Sequence, residues 1–405
     1  MKCIQADGFG SEEVLHEAHV DMPSLPEKAG HGKLLVRVLA VSLSPSDYRT
    51  LSGDGRVVKN PSFPFIPGGD LVGQVVDLDP LVESGPQSAD APRRHGQPWD
   101  GKRKAFYFRK GGRVAATWDL YGKGGLAEYC LVDAKLAVPL DDSLGLDDVT
   151  CAAMTNSPAH AAAAVRRANV KKGERVLILG GSGGVGTIAV QLVRNAGASF
   201  LAATSTDTAL LERLGVDMAI DYTTTRWDEI AAFVDEPFDV IIDCAEGYSA
   251  FRRAAKSKVL KKGSHGGRFI ALVLTTWHLD IKSVWQLFKF FVPVIGRVMA
   301  SLVTRWWKPK YVMHVTSANN LTLARTVEEL TRGDYEMVID RNSPHPFTEA
   351  GVRDAYRLHT ARRGKGKIVI RVAGGEESTR SSSSSSTTET ARGSTGSTSR
   401  TSAWT

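Results

Sequence analysis

The sequence predicts an α/β protein in which a β-rich first part precedes a doubly wound parallel sheet. Residues 1–150 carry short apolar runs between glycine and proline turns, a pattern typical of strands. From residue 151 onward, short apolar runs alternate with segments of helical spacing, as in a parallel sheet with crossover helices. From about residue 373 the chain is rich in serine and threonine, and we expect a disordered tail because this composition cannot form a core.

The elements can be placed in order along the chain. The first part should contain strands at residues 34–41, 71–76 and 127–132. An alanine-rich helical stretch follows at residues 149–169, interrupted by Ser157-Pro158. The elements after it alternate in type, with strands at 176–179, 200–204, 218–220, 240–242 and 268–273 and helices at 185–196 and 209–214. A last strand at residues 368–372 is expected to return to the first domain.

The composition is that of a globular protein. The 405 residues leave room for two domains, and 42% hydrophobic and 23% charged residues are ordinary proportions. The chain contains no uninterrupted apolar run of about 18 residues, so we expect no membrane-spanning helix. Its first residues lack the features of a signal or transit peptide, which predicts a cytoplasmic protein. Four scattered cysteines lack metal-ligand spacing, so we expect neither a zinc lobe nor a disulfide framework.

The net charge of +7 has a local source. Between Pro92 and Arg113, eight lysines and arginines stand against one acidic residue, Asp100. We interpret this stretch as a solvated loop; the alternative is that its field steers anionic substrates or nucleotides. A nucleic-acid partner is not expected, because the chain shows neither aromatic platforms nor a known nucleic-acid-binding module.

The glycine-rich turn after residues 176–179 is the most informative feature for function. Gly181, Gly183 and Gly186 read as G-x-G-x-x-G between a strand and a helix, the context that this motif requires. Such glycines permit a tight turn and let the backbone approach a pyrophosphate, which the first helical N–H groups then bind. The sequence therefore predicts a dinucleotide site with contacts from Gly181, Ser182, Gly183, Gly184, Val185 and Gly186.

The next predicted strand indicates which dinucleotide binds. An NAD site usually places a carboxylate at the end of that strand, whereas this chain has Thr204 and Ser205 there. Hydroxyl groups can donate hydrogen bonds to a 2′-phosphate, so we predict NADPH as the cofactor. Asp207 is expected to cap the helix at residues 209–214. The lysine or arginine that usually accompanies a 2′-phosphate is not evident near this strand.

Seven sequence blocks occur in the order and spacing of a known family. They are Ser42-Leu43-Ser44-Pro45-Ser46-Asp47-Tyr48, Pro67-Gly68-Gly69-Asp70-Leu71-Val72-Gly73, Gly125-Leu126-Ala127-Glu128-Tyr129, the glycine turn, Ile220-Asp221-Tyr222, Phe238-Asp239-Val240-Ile241-Ile242-Asp243-Cys244 and Arg363-Gly364-Lys365-Gly366-Lys367. Over residues 1–372 the chain resembles the zinc-free quinone oxidoreductases of the medium-chain dehydrogenase/reductase family. It is especially similar to the reticulon-interacting-protein and enoyl-reductase-like branch.

The resemblance implies a GroES-like β-barrel domain and a Rossmann domain with an active cleft between them. It places the GroES-like catalytic domain at residues 1–150, completed by 340–372. The Rossmann NADP-binding domain is then expected at 151–339 and the tail at 373–405. The reaction implied is hydride transfer from a nicotinamide to a quinone or to an activated carbon–carbon double bond, so the expected partner is a hydrophobic small molecule.

The resemblance also implies further site residues. Tyr222 matches a tyrosine that family members use against the 2′-phosphate. Three residues complete the predicted cofactor-binding set: Cys244, Leu272 and Lys365. Tyr48 is the predicted proton donor, and Asp47 beside it is the second catalytic candidate, although it is also suited to ordering its loop. His160 and His314 are lesser candidates for the cleft.

Four departures from the family pattern bear on the chemistry. Zinc-dependent members carry Gly-His-Glu where this chain has Gly68-Gly69-Asp70, so we expect no metal. Ser44 stands where many members have asparagine, and Gly55 stands where some have a tyrosine. Pro158 replaces a threonine often found beside the nicotinamide. Two functions therefore stay open: an NADPH-dependent reductase of quinones or enones, and a cofactor-binding interaction or membrane-associated protein with little turnover.

A strongly apolar segment between Trp277 and Lys310 is punctuated by lysines and arginines and contains Pro293, which should bend any helix there. We interpret this segment as core or as a lid over a bulky hydrophobic substrate. The alternative is a peripheral membrane contact through residues 277–310. An edge strand near residues 268–273 is compatible with the homodimer common in the family.

Overall fold

The structure is a computed structural model that describes residues 1–27, 30–54, 56, 61–83, 106–118, 124–273, 283–314 and 319–373. All of them belong to one compact unit, Met1–Ala373, whereas the second unit, Gly374–Thr405, contains no described residue. The predicted tail, Gly55 and residues 92–105 of the basic stretch therefore lie outside the described residues.

The described residues contain fifteen strands and eleven α-helices. The strands are β1 (Lys2–Ala6), β2 (Leu15–His19), β3 (Lys33–Ser42), β4 (Asp70–Leu78), β5 (Arg113–Ala116), β6 (Tyr129–Asp133), β7 (Ala137–Pro139), β8 (Arg175–Leu179), β9 (Phe200–Thr204), β10 (Met218–Ile220), β11 (Val240–Asp243), β12 (Arg268–Ala271), β13 (Lys310–Met313), β14 (His345–Pro346) and β15 (Val369–Arg371). The helices are α1 (Pro45–Ser52), α2 (Pro80–Glu83), α3 (Asp148–Ala153), α4 (Asn156–Ala168), α5 (Gly184–Asn195), α6 (Thr208–Arg213), α7 (Ala231–Asp235), α8 (Tyr248–Ser257), α9 (Val284–Thr304), α10 (Asn320–Thr331) and α11 (Glu349–Thr360). Short 3-10 helices lie at Glu12–Val14, Ala134–Leu136, Asp142–Leu144, Trp227–Glu229 and Gly263–His265.

A seven-stranded sheet carries the first core. Its order is β14-β15-β3-β4-β5-β7, and β6 also pairs with β3. β15 pairs antiparallel with β3 and sets Ile370 opposite Val41, so the chain rejoins its first part after the second sheet. Leu34 and Val36 of β3 are fully buried in this core, and burial of such apolar side chains stabilises the sheet. β1 and β2 form a separate hairpin.

The second sheet has six parallel strands in the order β10-β9-β8-β11-β12-β13. Side chains of β8 alternate between two cores on opposite faces: Ile178 packs with Ile188 of α5, and Leu177 packs with Phe233 of α7. Helices thus cover both faces, which is why the strand has no polar side. The doubly wound parallel sheet predicted from the sequence is confirmed.

The position of β8 in this sheet determines where a ligand can bind. The chain winds from β8 through β9 to β10 on one side and then crosses to β11 on the other side. At such a reversal of strand order, the carboxyl ends of the two central strands open a crevice that binds ligands in doubly wound folds. The glycine turn follows the carboxyl end of β8 and therefore lies at this crevice.

Two predictions about secondary structure were wrong. The helical stretch at residues 149–169 is interrupted as expected, but the break lies at residues 154–155 and not at Ser157-Pro158, because α4 begins at Asn156 and Pro158 lies in its first turn. Proline is tolerated there because the N–H groups of a first turn have no helical acceptor. The expected edge strand at residues 268–273 is also wrong, since β12 lies between β11 and β13. The edge strand on this side of the sheet is β13, which begins with the polar residue Lys310 and was not predicted.

The apolar segment that contains α9 is a surface element. Of its described side chains between residues 285 and 304, only Val294 and Ser301 are buried. The interpretation of this segment as core is therefore wrong, because a core helix would bury most of its apolar side chains. α9 continues past Pro293. No helix among the described residues is long and apolar enough to cross a membrane.

Candidate active site

The glycine turn joins β8 to α5 through glycines that have different surroundings. A Cβ on Gly181 would lie 2.8 Å from the Leu211 side chain, and one on Gly186 would lie 2.1 Å from the Gly180 carbonyl oxygen. Those two positions are therefore glycine because of internal packing. At Gly183 the nearest described atom to a Cβ is the Gly180 oxygen, 3.7 Å away. The middle glycine thus borders open space from which a pyrophosphate can approach the backbone.

The N-terminus of α5 has hydrogen-bond donors to offer to such a group. Gly183 is the N-cap residue, and with no side chain it provides no cap. The N–H groups of the first helical turn, on Gly184, Val185 and Gly186, have no acceptor within the helix. These donors and the positive end of the helix dipole favour an anion beside Gly183.

The two hydroxyls predicted to meet a 2′-phosphate make local hydrogen bonds. Thr204 Oγ1 accepts from the Gly180 N–H group at 2.9 Å, and Ser205 Oγ accepts from the Asp207 N–H group at 2.8 Å. Both residues are buried. Asp207 Oδ1 in turn accepts from the Leu210 N–H group at 3.0 Å and caps α6. The predicted cap is confirmed, and Thr204 and Ser205 hold the turn in shape.

A lysine from a distant part of the chain lies at the end of β9. The Nζ atom of Lys365 lies 2.6 Å from Thr206 Oγ1 and 3.4 Å from Ser182 Oγ. Burial lowers the pKa of Lys365, whereas the nearby carboxylates, Asp207 first among them, oppose that shift. Lys365 therefore brings a cation to the position where the local sequence has none. Thr206 is a candidate site residue that the sequence did not indicate, because its partner lies 159 positions away.

The remaining predicted cofactor residues lie at the carboxyl ends of the central strands. Cys244 follows β11, and its N–H group donates to the Leu179 carbonyl oxygen at 3.0 Å. Leu272 follows β12 and donates to the Asp243 carbonyl oxygen at 3.0 Å. Tyr222 follows β10, and its side chain is exposed. Tyr222 thus lies after β10 and Lys365 beside the end of β9, while Cys244 and Leu272 follow strands on the other side of β8.

Asp47 is fully buried and organises α1. Its Oδ2 atom accepts from the Ser44 N–H group at 2.8 Å and from Ser44 Oγ at 2.9 Å, and Oδ1 accepts from the Gly69 N–H group at 3.1 Å. Burial raises the pKa of Asp47 to about 6, the charge of Asp70 adds to the shift, and the Ser44 hydrogen bonds oppose it. The Ser44 hydroxyl stands where family members have an asparagine amide, and it donates its hydrogen bond to Asp47.

The buried side chain of Lys367 lies between Asp70 of the first sheet and the glycine turn. Lys367 Nζ donates to the Leu43 carbonyl oxygen at 2.8 Å and lies 3.8 Å from Asp70 Oδ2. Its side chain also packs beside the turn, since a Cβ on Gly184 would lie 2.9 Å from Lys367 Cδ. Burial raises the pKa of Asp70 and lowers that of Lys367, and their mutual attraction opposes both shifts. This pair joins the first sheet to the dinucleotide turn.

Tyr48, the predicted proton donor, is half-buried on α1. Partial burial raises its pKa, and the carboxylates of Asp54 and Glu12 add to the shift. A phenol with a raised pKa keeps its proton at neutral pH, so Tyr48 can still donate one. Asp47 and Tyr48 are neighbours in sequence, but Asp47 interacts with Ser44 and Gly69, whereas the charges that act on Tyr48 are those of Asp54 and Glu12.

Two of the candidate histidines, His160 and His314, contact each other. The rings of His160 on α4 and His314 after β13 meet edge to face with centroids 6.1 Å apart. Burial lowers the pKa of His160 to about 4 and also lowers that of His314. The sequence did not single out His359 on α11, which is half-buried near Ser44 and Lys367 and whose pKa burial lowers to about 4. Burial thus favours the neutral form of all three imidazoles.

The raised pKa of Asp47 has a consequence for stability. A carboxyl whose pKa is higher in the folded than in the unfolded chain contributes stability that is fully present below about pH 4 and is lost as pH rises through about 6. The free energy of unfolding of the wild type relative to Asp47→Asn should therefore fall by about 2 kcal/mol between about pH 4.5 and about pH 7.5. Urea denaturation of both proteins measures this difference. A difference that grows with pH would mean that the Ser44 and Gly69 hydrogen bonds outweigh burial.

Comparison with known proteins places the chain in a family. Residues 30–142 match the family model described as alcohol dehydrogenase GroES-like domain. Residues 214–370 match the model described as zinc-binding dehydrogenase. Together the two matches cover more than half of the chain, and they occur in the order of the two sheets. The chain is a medium-chain dehydrogenase/reductase. The predicted combination of a GroES-like domain with a Rossmann-type sheet is thereby confirmed.

Relatives of this dehydrogenase/reductase cover most of its length. It is 26% identical to 2-methylene-furan-3-one reductase of Solanum lycopersicum over 375 residues, which is 91% of this chain and 79% of the relative. It is 25% identical to NADPH-dependent alkenal/one oxidoreductase, chloroplastic, of Arabidopsis thaliana, with the same two coverages of 91% and 79%. The solved structure of the quinone oxidoreductase from Coxiella burnetii superposes with a TM-score of 0.68 at 22% identity, over 92% of this chain and 99% of that chain.

The residues of this dehydrogenase/reductase do not fit a catalytic zinc ion. At Gly68-Gly69-Asp70 a single carboxylate is present, and that carboxylate accepts from Thr117 Oγ1 at 2.7 Å. Among the described residues, no group of three or more histidine, cysteine, aspartate or glutamate side chains is placed to hold a metal ion. The described residues around Gly68-Gly69-Asp70 therefore do not provide the ligand set of a catalytic zinc ion.

Proposed function

We propose that this protein is an NADPH-dependent oxidoreductase that reduces quinones or α,β-unsaturated carbonyl compounds. The observation that carries the proposal is the joint arrangement of the glycine turn and Lys365. Uncapped N–H groups at the start of α5 suit a pyrophosphate, and Lys365 with Thr206 suits a 2′-phosphate at the end of β9. A turn that bound no ligand would not need an open face at Gly183 and a partly buried cation beside it.

Each residue of the crevice would contact a particular part of the cofactor. The first turn of α5 would bind the pyrophosphate, and Lys365, Thr206 and Tyr222 would surround the 2′-phosphate. Cys244 and Leu272 border the path toward the nicotinamide. When bound, NADPH supplies the hydride that reduces the substrate. The buried Asp70–Lys367 pair keeps the first sheet in register with the turn, so that the substrate can be held against the cofactor.

The substrate class follows from the family and its relatives. The relatives described above are named for reduction of a furanone, of alkenals and alkenones, and of quinones. These acceptors share a carbon–carbon double bond conjugated to a carbonyl group. A hydride adds to such a system without help from a metal, provided that a proton follows. We expect a cytoplasmic protein, although the name of one relative places it in the chloroplast.

Tyr48 is the residue that we propose as proton donor. Its raised pKa keeps the phenol protonated. Replacing it by phenylalanine should lower kcat for an enone by about a hundredfold, because a positioned general acid contributes a factor of this order. Turnover of a 1,4-benzoquinone should fall less, since the product oxygens can take protons from water. Steady-state kinetics of both substrates measure the difference, and equal, unchanged kcat values would assign the proton to solvent.

The proposed reaction is tested by the oxidation of NADPH in the presence of 1,4-benzoquinones and long-chain enones. We expect turnover that saturates with at least one of these acceptors and that is lost in the Gly183→Ala variant. NADPH binding without oxidation by any acceptor would favour the second function considered above, a cofactor-binding interaction protein. Ser44, whose hydroxyl is committed to Asp47, is the observation that favours that second function.

A further inference from the structure

α9 attaches to the body of the protein by a narrow stripe. Among the side chains of α9 that the structure describes, Val294 and Ser301 are the buried ones, and they lie seven positions apart. Ser301 Oγ accepts from the Tyr311 N–H group at 2.7 Å and lies 3.3 Å from the Tyr311 carbonyl oxygen. Arg297, one turn before Ser301, lies over the Tyr248 ring at 3.9 Å. One face of α9 is thus fixed to β13 and α8, which determines the direction of the opposite face.

The opposite face of α9 is apolar and exposed. Its large side chains recur every three or four residues, as one face of an α-helix requires. They are Trp285, Phe288, Val292, Ile295, Met299 and Leu302. Trp306 and Trp307 extend the surface just beyond the helix and are also exposed. Contiguous exposed apolar surface of this kind marks an interaction site on a folded protein, because it is unfavourable in water.

The charged residues of α9 and its immediate flanks, residues 281–310, have one sign. Residues 281–310 contain six lysines and arginines and no aspartate or glutamate. Lys289 Nζ lies 5.3 Å from the centroid of the Trp285 ring, and the Arg305 guanidinium lies 5.6 Å from that of Trp306. Each end of the apolar face therefore combines an aromatic ring with a cation. Tryptophan prefers the boundary between apolar and aqueous regions, and cations there are attracted to anionic headgroups.

We propose that the exposed face of α9 docks the enzyme on a membrane surface that contains anionic lipids. The helix lies in the plane of the interface, with its apolar side chains among the acyl chains and its cations among the headgroups. It does not span the membrane, in agreement with the absence of a spanning helix among the described residues. This docking is independent of the reaction proposed above.

A second copy of the chain fits this face less well than an anionic surface does. Pairing of α9 with itself would bring two sets of cations together, with no acidic residue between residues 281 and 310 to balance them. Extension of the sheet from β13 into a partner is also obstructed, because the Ser301 hydroxyl already binds the backbone of Tyr311. Charge complementarity therefore selects the membrane.

Flotation of the full chain with lipid vesicles tests the proposal. We expect the protein to float with vesicles of phosphatidylcholine and phosphatidylglycerol, and to float much less with phosphatidylcholine alone or at high salt. The double variant Phe288→Glu/Ile295→Glu should bind the anionic vesicles at least about tenfold more weakly than the wild type, since both side chains enter the lipid. Its matched control is Met22→Glu/Val234→Glu, which alters exposed apolar side chains elsewhere. The control should float like the wild type.

Further measurements distinguish a loss of membrane binding from unfolding and from dimerisation. Circular dichroism should show unchanged melting of both double variants, because all four side chains are exposed. If the α9 variant fails to fold, Lys289→Glu/Lys308→Glu replaces it and should abolish binding to anionic vesicles. A wild type that does not float overturns the proposal. Equal loss in the control variant also overturns it, as does a dimer that light scattering detects and that Phe288→Glu/Ile295→Glu dissociates.

Discussion

Replacement of Gly183 by alanine is expected to weaken dinucleotide binding by at least about a hundredfold and to leave the fold intact. A Cβ at this position has 3.7 Å to its nearest described neighbour, so the free protein accommodates it. The same methyl group occupies the space from which a pyrophosphate reaches the N–H groups of α5. Loss of two charge-assisted hydrogen bonds, each worth about 1.5 kcal/mol, weakens binding by about a hundredfold or more.

Nicotinamide fluorescence titration measures this effect, and two other glycines provide controls. Gly8→Ala should bind NADPH like the wild type, because no heavy atom lies within 4 Å of a Cβ there. Gly186→Ala should lower the melting temperature, because its Cβ would lie 2.1 Å from the Gly180 oxygen. If Gly183→Ala bound NADPH as tightly as the wild type does, the pyrophosphate could not lie at this turn.

Replacement of Lys365 by methionine is expected to change the choice of cofactor. The variant keeps most of the side-chain length but removes the cation that lies 2.6 Å from Thr206 Oγ1. A hydrogen bond to a charged group contributes about 1.5–3 kcal/mol, so NADPH affinity should fall about tenfold to a hundredfold. Affinity for NADH, which has no 2′-phosphate, should stay the same.

Parallel titrations with the two nucleotides give the result, and Lys171→Met is the matched control. Lys171 is an exposed lysine that precedes β8, at the opposite end of that strand from the glycine turn. Its replacement should change neither affinity. An equal loss of NADPH and NADH binding in Lys365→Met would place the lysine at the pyrophosphate, which both nucleotides carry, and would remove the structural basis for a preference for NADPH.

The parts of the site that could be predicted from the sequence depend on local signals. The G-x-G-x-x-G motif lies within six residues and is bounded by a strand and a helix, so its surroundings follow from nearby residues alone. The cap provided by Asp207 is equally local. The spacing of short apolar runs predicted the parallel strands because each is buried on both faces.

The parts that could not be predicted depend on contacts across the fold. Lys365 reaches Thr206 only because residues 365–367 run beside the glycine turn, where the Gly366 N–H group donates to the Ser182 carbonyl oxygen at 2.8 Å. The resemblance named Lys365 as a cofactor residue, but the sequence did not place it at the end of β9. The neighbours of β12 likewise depend on where the distant strand β13 adds to the sheet.

The surface position of α9 could not be predicted from the sequence pattern either. Its apolar residues recur on two faces, and composition alone does not distinguish a helix buried on both faces from one that leaves a face exposed. The contacts of Ser301 with Tyr311 decide which face meets the body. The role of Tyr48 and the limits of the two domains remain predictions.

The most direct test of the central claim is a fluorescence titration of the wild type with NADPH, followed by addition of a 1,4-benzoquinone to the bound sample. The account predicts tight binding, weaker binding of NADH, and rapid loss of the reduced nicotinamide signal when the acceptor is added. Binding without loss of signal, also after a long-chain enone is added, would contradict the proposed reaction. Binding of neither nucleotide would contradict the assignment of the glycine turn itself.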